Sequence, residues 1–228
     1  MSQETRADGV SRMRNAVNEP HSRRKFMLLA GGSSVAGVAL AACGSDDETT
    51  SSTTESDAGG SASDENSLAM FGEGDLGIVN YALTLEYLEA AFYADVIKSG
   101  LFKGDDLALI QEIGSNEDEH VAALEATAKM LGDPAPQPET KFDLADADTV
   151  LKTAAEVENL GAAAYLGQAA NVEDKAILAA ALSIHTVEAR HAAALNAVLG
   201  QTITPDGAFA TPALPDEVLP AVQPFIVS

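Results

Sequence analysis

The sequence predicts an all-α protein, an antiparallel four-helix bundle made of two copies of one helical hairpin. Three observations carry this. From Asp75 to Gly200 apolar residues recur at alternating steps of three and four, the spacing of helices that bury one face. Two blocks occur twice: Glu86-Tyr-Leu-Glu-Ala-Ala-Phe-Tyr93 returns as Glu158-Asn-Leu-Gly-Ala-Ala-Ala-Tyr165, and Glu117-Asp-Glu-His120-Val-Ala-Ala-Leu124 returns as Glu188-Ala-Arg-His191-Ala-Ala-Ala-Leu195. The copies are offset by 72 and 71 residues, the length of a duplicated hairpin and too long for a solenoid repeat. Glycine and proline punctuation divides the region into four segments.

Residues 1–42 read as an export signal. Ser22-Arg23-Arg24-Lys25-Phe26-Met27 opens an apolar run from Leu28 that closes on Leu40-Ala41-Ala42-Cys43, which resembles a twin-arginine signal ending in a lipoprotein box. A membrane-spanning helix is the weaker alternative, because Gly31, Gly32 and Gly37 interrupt the run and a Cys follows Ala-Ala. Cys43 is the only cysteine, so no disulfide or Cys-based zinc site is expected, and lipidation is its expected role. Residues 43–69 are mostly Ser, Thr, Gly, Asp and Glu, too polar to bury a core. They read as a disordered acidic tether, which as a flexible coil spans roughly 25 to 30 Å.

The bundle is expected over residues 70–200. In the first helix the inner stripe is Val79, Ala82, Glu86, Glu89 or Ala90, Tyr93 and Val96. Gly100 and Gly104 end it, and the second helix gives Ile110, Ile113, Glu117, His120, Leu124, Thr127 and Leu131. Gly132 to about Ala147, with Pro134, Pro136 and Pro138, is long enough to cross between hairpins. The third helix runs Leu151, Ala155, Glu158, Ala162, Tyr165, and the fourth Ile177, Ala181, Ile184, Glu188, His191, Leu195, Val198, up to Gly200. Residues 201–228, with five prolines and scattered Leu, Val and Phe, are expected to pack along the bundle.

The duplicated Glu and His therefore lie inside apolar stripes and point inward. A buried carboxylate is costly unless it is paired or binds a metal. Four carboxylates balance two divalent ions in charge, and a Glu and a His three apart share one helix face. A single Glu-x-x-His on an Ala-rich helix is common as a solvated pair. Two in register, each matched by a core Glu about thirty residues upstream, make that reading the weaker one.

With those residues in place the chain resembles the ferritin-like superfamily of di-iron and di-manganese carboxylate proteins, whose pattern is one Glu from each of two helices and Glu-x-x-His from each of the other two. The phrase Asn80-Tyr-Ala-Leu-Thr-Leu-Glu-Tyr-Leu-Glu-Ala-Ala-Phe-Tyr93 is similar to the bacterial ferritin-like family often found as exported proteins. The resemblance implies Glu86, Glu117, His120, Glu158, Glu188 and His191 as ligands of two iron ions, or alternatively two manganese ions. Oxygen-rich ligation with two imidazoles suits either metal over copper. The resemblance also puts Tyr93 near the metal pair, with Tyr165 as its repeat; both are equally readable as core aromatics. Glu89 repeats as Gly161, which leaves it open as an auxiliary acid of the catalytic group, an extra ligand, or an exposed residue. His185, opposite Gly114 in the repeat, reads as a surface or supporting residue. Glu112, Glu119 and Glu156 read as solvent-facing.

The function this implies is an exported protein, lipid-anchored through Cys43 to the outer face of the cytoplasmic membrane, whose metal pair reacts with dioxygen or hydrogen peroxide in a ferroxidase, peroxidase or catalase-like manner. The alternative is a non-enzymatic metal-binding or stress-related surface protein whose site only stabilises the bundle. A storage-shell subunit ranks lower, since a lipid and a tether would encumber a closed cage, although oligomerisation is left open. Without residues 1–42 the chain keeps seven basic and 32 acidic residues, a net charge of −25, which argues against nucleic acid as a partner.

Overall fold

The computed structural model describes residues 68–227. Cys43, Arg23 and Arg24 lie outside the described residues, as does nearly all of the expected tether. Four long helices form: α1 (Gly74–Ser99), α2 (Gly104–Leu131), α3 (Ala147–Gln168) and α4 (Lys175–Val198), followed by the short α5 (Pro215–Val222) and a 3-10 turn, Gln223–Phe225. Helices α1 and α2 pack along their lengths as one hairpin, α3 and α4 as the other, and α1 meets α3 across the bundle. The fold is an all-α four-helix bundle of two paired helical hairpins. No described helix is long and apolar enough to cross a membrane.

The helix limits follow from local chemistry. Gly100 ends α1 in the left-handed conformation, φ +71°, which a residue without a Cβ adopts freely. Asp146 caps α3 by accepting from the Thr149 amide at 2.8 Å, and Asp174 caps α4 by accepting from the Ala176 and Ile177 amides. Asp75 at the start of α1 accepts from the amides of Glu173 and Asp174 at 2.8 Å each, tying the turn before α4 to the other hairpin. Asn80 pins the crossover. Its Nδ2 donates to the carbonyls of Phe71 and Asp133, and its Oδ1 accepts from the Ala135 amide.

Two apolar clusters sandwich the middle of the bundle. One, around Phe92, Tyr93, Ile110, Val150 and Leu195, lies towards the turn joining α1 to α2. The other, around Val79, Leu83, Leu124, Tyr165 and Ile184, lies towards the opposite end. The duplicated Glu and His occupy the level between them.

The observed burial corrects the single stripe expected for α1. From Gly77 to Tyr93 it is buried on nearly every face, because a third cluster covers its second side: Tyr81, Leu85 and Leu88 pack against Val218 and Val222 of α5. The tail reaches there along α3, where the Ala213 amide donates to the Ala163 carbonyl, and it closes on the crossover through an isolated antiparallel bridge between Thr140 and Ile226. Gly167 leaves room for this approach; a Cβ there would collide with the Ala213 carbonyl. Leu131 and Val198, placed on the inner stripes by periodicity, are instead exposed, because they sit at the last residue of α2 and α4, beyond the packed end of the bundle.

Candidate metal centre

The six residues named by the repeat converge on one buried cluster. Glu86, Glu117, Glu158 and Glu188 have no exposed surface, and His120 and His191 very little. All four long helices contribute: Glu86 from α1, Glu117 and His120 from α2, Glu158 from α3, Glu188 and His191 from α4.

The atoms divide into two overlapping groups. Glu86, Glu117, His120 and Glu188 form one, and Glu117, Glu158, Glu188 and His191 the other; within each, one ligand atom per residue lies within 4.8 Å of all the rest. Glu117 and Glu188 belong to both. Glu117 faces the two imidazoles with different oxygens, Oε2 at 3.0 Å from His120 Nδ1 and Oε1 at 2.9 Å from His191 Nδ1. The rings lie 6.2 Å apart in a near-parallel stack. Two adjacent cation positions with two carboxylates between them are the geometry of a dinuclear centre.

The hydrogen-bonding deficit tests the fit. Around His120 Nδ1 three carboxylate oxygens gather, from Glu117 and Glu188 at 3.0 Å and Glu86 at 3.3 Å. A ring nitrogen carries at most one proton, so it cannot satisfy all three. Glu86 Oε2, Glu117 Oε1 and both oxygens of Glu188 accept no hydrogen bond although all are fully buried. Buried carboxylate oxygens converging without donors are costly to leave unpaired, and a divalent cation is the partner that would satisfy them together. The residues present fit a pair of hard divalent ions.

Without cations the cluster holds protons instead. Burial alone would keep His120 and His191 neutral, but the carboxylates facing their Nδ1 atoms outweigh it, Glu117, Glu188 and Glu86 at His120 and Glu117 and Glu158 at His191, and the imidazoles are pushed up to about 12 and about 10. Burial raises the Glu86 carboxyl to about 7, while the two imidazoles draw Glu117 down to about 2 against its own burial. Glu188 lies well above the usual carboxylate range, through burial and then the charge of Glu86.

The two tyrosines cross between hairpins. Tyr93 of α1 donates to Glu158 Oε1 at 2.5 Å, and Tyr165 of α3 donates to Glu86 Oε1 at 2.6 Å. Each hydroxyl therefore fixes the non-bridging Glu of the other hairpin. Glu89 is also buried, and in the cluster rather than in solvent. Its Oε1 is 2.8 Å from where a Cβ on Gly161 would stand, and Glu188 Oε2 is 3.3 Å from the same point. The absence of a side chain at 161 makes space for a fifth carboxylate. Burial holds Glu89 well above its ordinary range, reinforced by Glu188 and the other acids of the cluster.

Other residues fall outside the cluster. His185 is half-buried, with Nδ1 3.0 Å from the Ala162 carbonyl, and Glu112, Glu119 and Glu156 are exposed. Periodicity did not single out Asn116, whose Nδ2 lies 3.0 Å from His191 Nε2 and steadies the ring from outside. Its repeat position is Val187, so duplication gave no signal for it.

A four-helix bundle whose core gathers these carboxylates and two Glu-x-x-His histidines is an arrangement that could hold metal ions. Residues 74–201 match the ferritin-like domain family, and the chain belongs to it. No curated protein matches the chain.

Proposed function

We propose that this protein binds a dinuclear iron or manganese centre through Glu86, Glu117, His120, Glu158, Glu188 and His191, and that the centre reacts with dioxygen or hydrogen peroxide. The sharing of Glu117 and Glu188 between two four-residue ligand groups carries this reading. When bound, two ferrous ions supply two electrons, which with two protons reduce dioxygen to hydrogen peroxide, or hydrogen peroxide to two waters.

The chain's own residues divide the remaining tasks. Glu117 and Glu188 hold the two positions together, and His120 and His191 each cap one. Tyr93 and Tyr165 keep Glu158 and Glu86 turned inward through their hydroxyls. Glu89, buried beside Glu188 and held protonated by its surroundings, is placed to give a proton at the cluster's edge. The apolar clusters on both sides keep bulk water away.

The proposal extends to location. The Arg23-Arg24 motif and Cys43 support export of the folded protein by the twin-arginine route and anchoring by lipid to the outer face of the cytoplasmic membrane. Export after folding lets the cytoplasm select the metal.

Titration of metal-free protein with ferrous iron under anaerobic conditions tests the centre. Saturation at about two irons per chain is expected, the stoichiometry this ligand pattern implies. Exposure to an oxidant should then produce the near-ultraviolet absorption of ferric iron. Saturation at one iron, or no oxidation, refutes the reading.

A further inference from the structure

The two cation positions have matching ligands. Duplication pairs Glu86 with Glu158, Glu117 with Glu188 and His120 with His191, so each four-residue group holds three carboxylates and one imidazole of corresponding origin. A difference between the positions must therefore come from residues outside the ligand set.

Asn116 is such a residue. Its carboxamide lies 3.0 Å from His191 Nε2, across the ring from Nδ1, which faces Glu117 at 2.9 Å and Glu158 at 3.1 Å. A neutral imidazole carries one proton, and when Nδ1 ligates a cation that proton sits on Nε2. A carboxamide with Oδ1 towards the ring accepts it, and exchanging Oδ1 with Nδ2 leaves the shape of the side chain unchanged. Asn116 thus selects the ligating tautomer of His191 and fixes the plane of its ring. His120 has no such support. The repeat puts Val187 at the matching position, where the side chain has no atom to accept a proton, and the polar contacts of His120 among the described residues are all made by Nδ1.

We propose that Asn116 makes the two positions unequal: the one capped by His191 takes the first ion and holds it more tightly, and the one capped by His120 fills second and exchanges. This rests on the dinuclear reading above and concerns binding rather than the oxidation that follows. Asn116 is a positioning residue, since it acts through His191.

Zinc(II) is the probe, because it undergoes no redox change and is diamagnetic. Ring-nitrogen NMR of histidine-labelled protein should show the Nδ1 signal of His191 shifted at one zinc per chain, and that of His120 only as a second is added. Asn116→Val, which copies the repeat, should weaken the His191 position by about 10- to 100-fold, the usual loss when such a partner is removed, and the two rings should then respond together. Asn116→Asp keeps an acceptor in the same place and should restore the order, which a purely structural role for the amide would not require. Equal response of both rings at one zinc in the native protein overturns the proposal, and that titration needs no variant. So does the native order of filling in a folded Asn116→Val protein. Saturation at one zinc per chain would instead remove the dinuclear reading, and this proposal with it.

Discussion

Replacing Gly161 with Ala should test how the fifth carboxylate is accommodated. In an exposed helix this change stabilises by about 1 kcal/mol, because glycine is the poorer helix former. Here the new methyl carbon would stand 2.8 Å from Glu89 Oε1 and 3.3 Å from Glu188 Oε2. Both carboxylates are buried and hemmed in by other acids, so neither moves away freely, and overpacking of this kind costs about 1–3 kcal/mol. The expected net effect on metal-free protein is a loss of up to about 2 kcal/mol. In a Glu89→Ala background the closer contact disappears, and the same change should become neutral or stabilising by up to about 1 kcal/mol. The interaction energy of the double-mutant cycle is then about 1–3 kcal/mol, readable as several degrees in Tm for a domain of this size. Urea or thermal unfolding of the four metal-free proteins measures it. Equal effects of Gly161→Ala in both backgrounds would show that Glu89 does not occupy the space beside Gly161, and the buried placement of Glu89 would be wrong.

Three further outcomes are expected. Glu188→Ala and Glu117→Ala each remove a carboxylate common to both positions and should lower the iron-oxidation rate by more than about 100-fold, beyond the usual loss for a residue that only supports a ligand; Glu156→Ala on the exposed face should leave it unchanged, and a Glu188→Ala protein with native rate would refute the ligand set. Metal-free protein should lose thermal stability as pH rises from about 5 to 8, because folded Glu86 keeps its proton up to about 7 against an ordinary 4.5, and folded His120 and His191 keep theirs to about 12 and 10 against 6.5, so the folded state binds more protons throughout this window; metal loading should abolish that slope, and a flat metal-free profile would count against the buried cluster. Replacing Arg23 and Arg24 together with Lys should leave precursor inside the cell, and Cys43→Ala should abolish lipid labelling; normal export of the double-Lys protein would exclude the twin-arginine route.

The sequence by itself determined the helices and that the duplicated Glu and His face inward, because both follow from spacings of three and four within one helix. Glu117 with His120, and Glu188 with His191, share a face wherever those segments are helical, and duplication at 72 and 71 residues linked the two hairpins without any knowledge of packing. The family is legible in the same residues. Only the tertiary structure decided the features that depend on partners far along the chain. Glu89 is buried because a glycine 72 residues later lacks a side chain, and periodicity alone left it equally readable as exposed. The tyrosine hydroxyls could have met any core acceptor; that Tyr93 reaches Glu158 and Tyr165 reaches Glu86 depends on how one hairpin is set against the other. Helix α1 is buried on two faces because α5, far along the chain, lies along it, and no local pattern in α1 specifies what covers its second side. Leu131 and Val198 mark the opposite limit, since periodicity continues to the last turn of a helix while the packing that gives it meaning stops earlier.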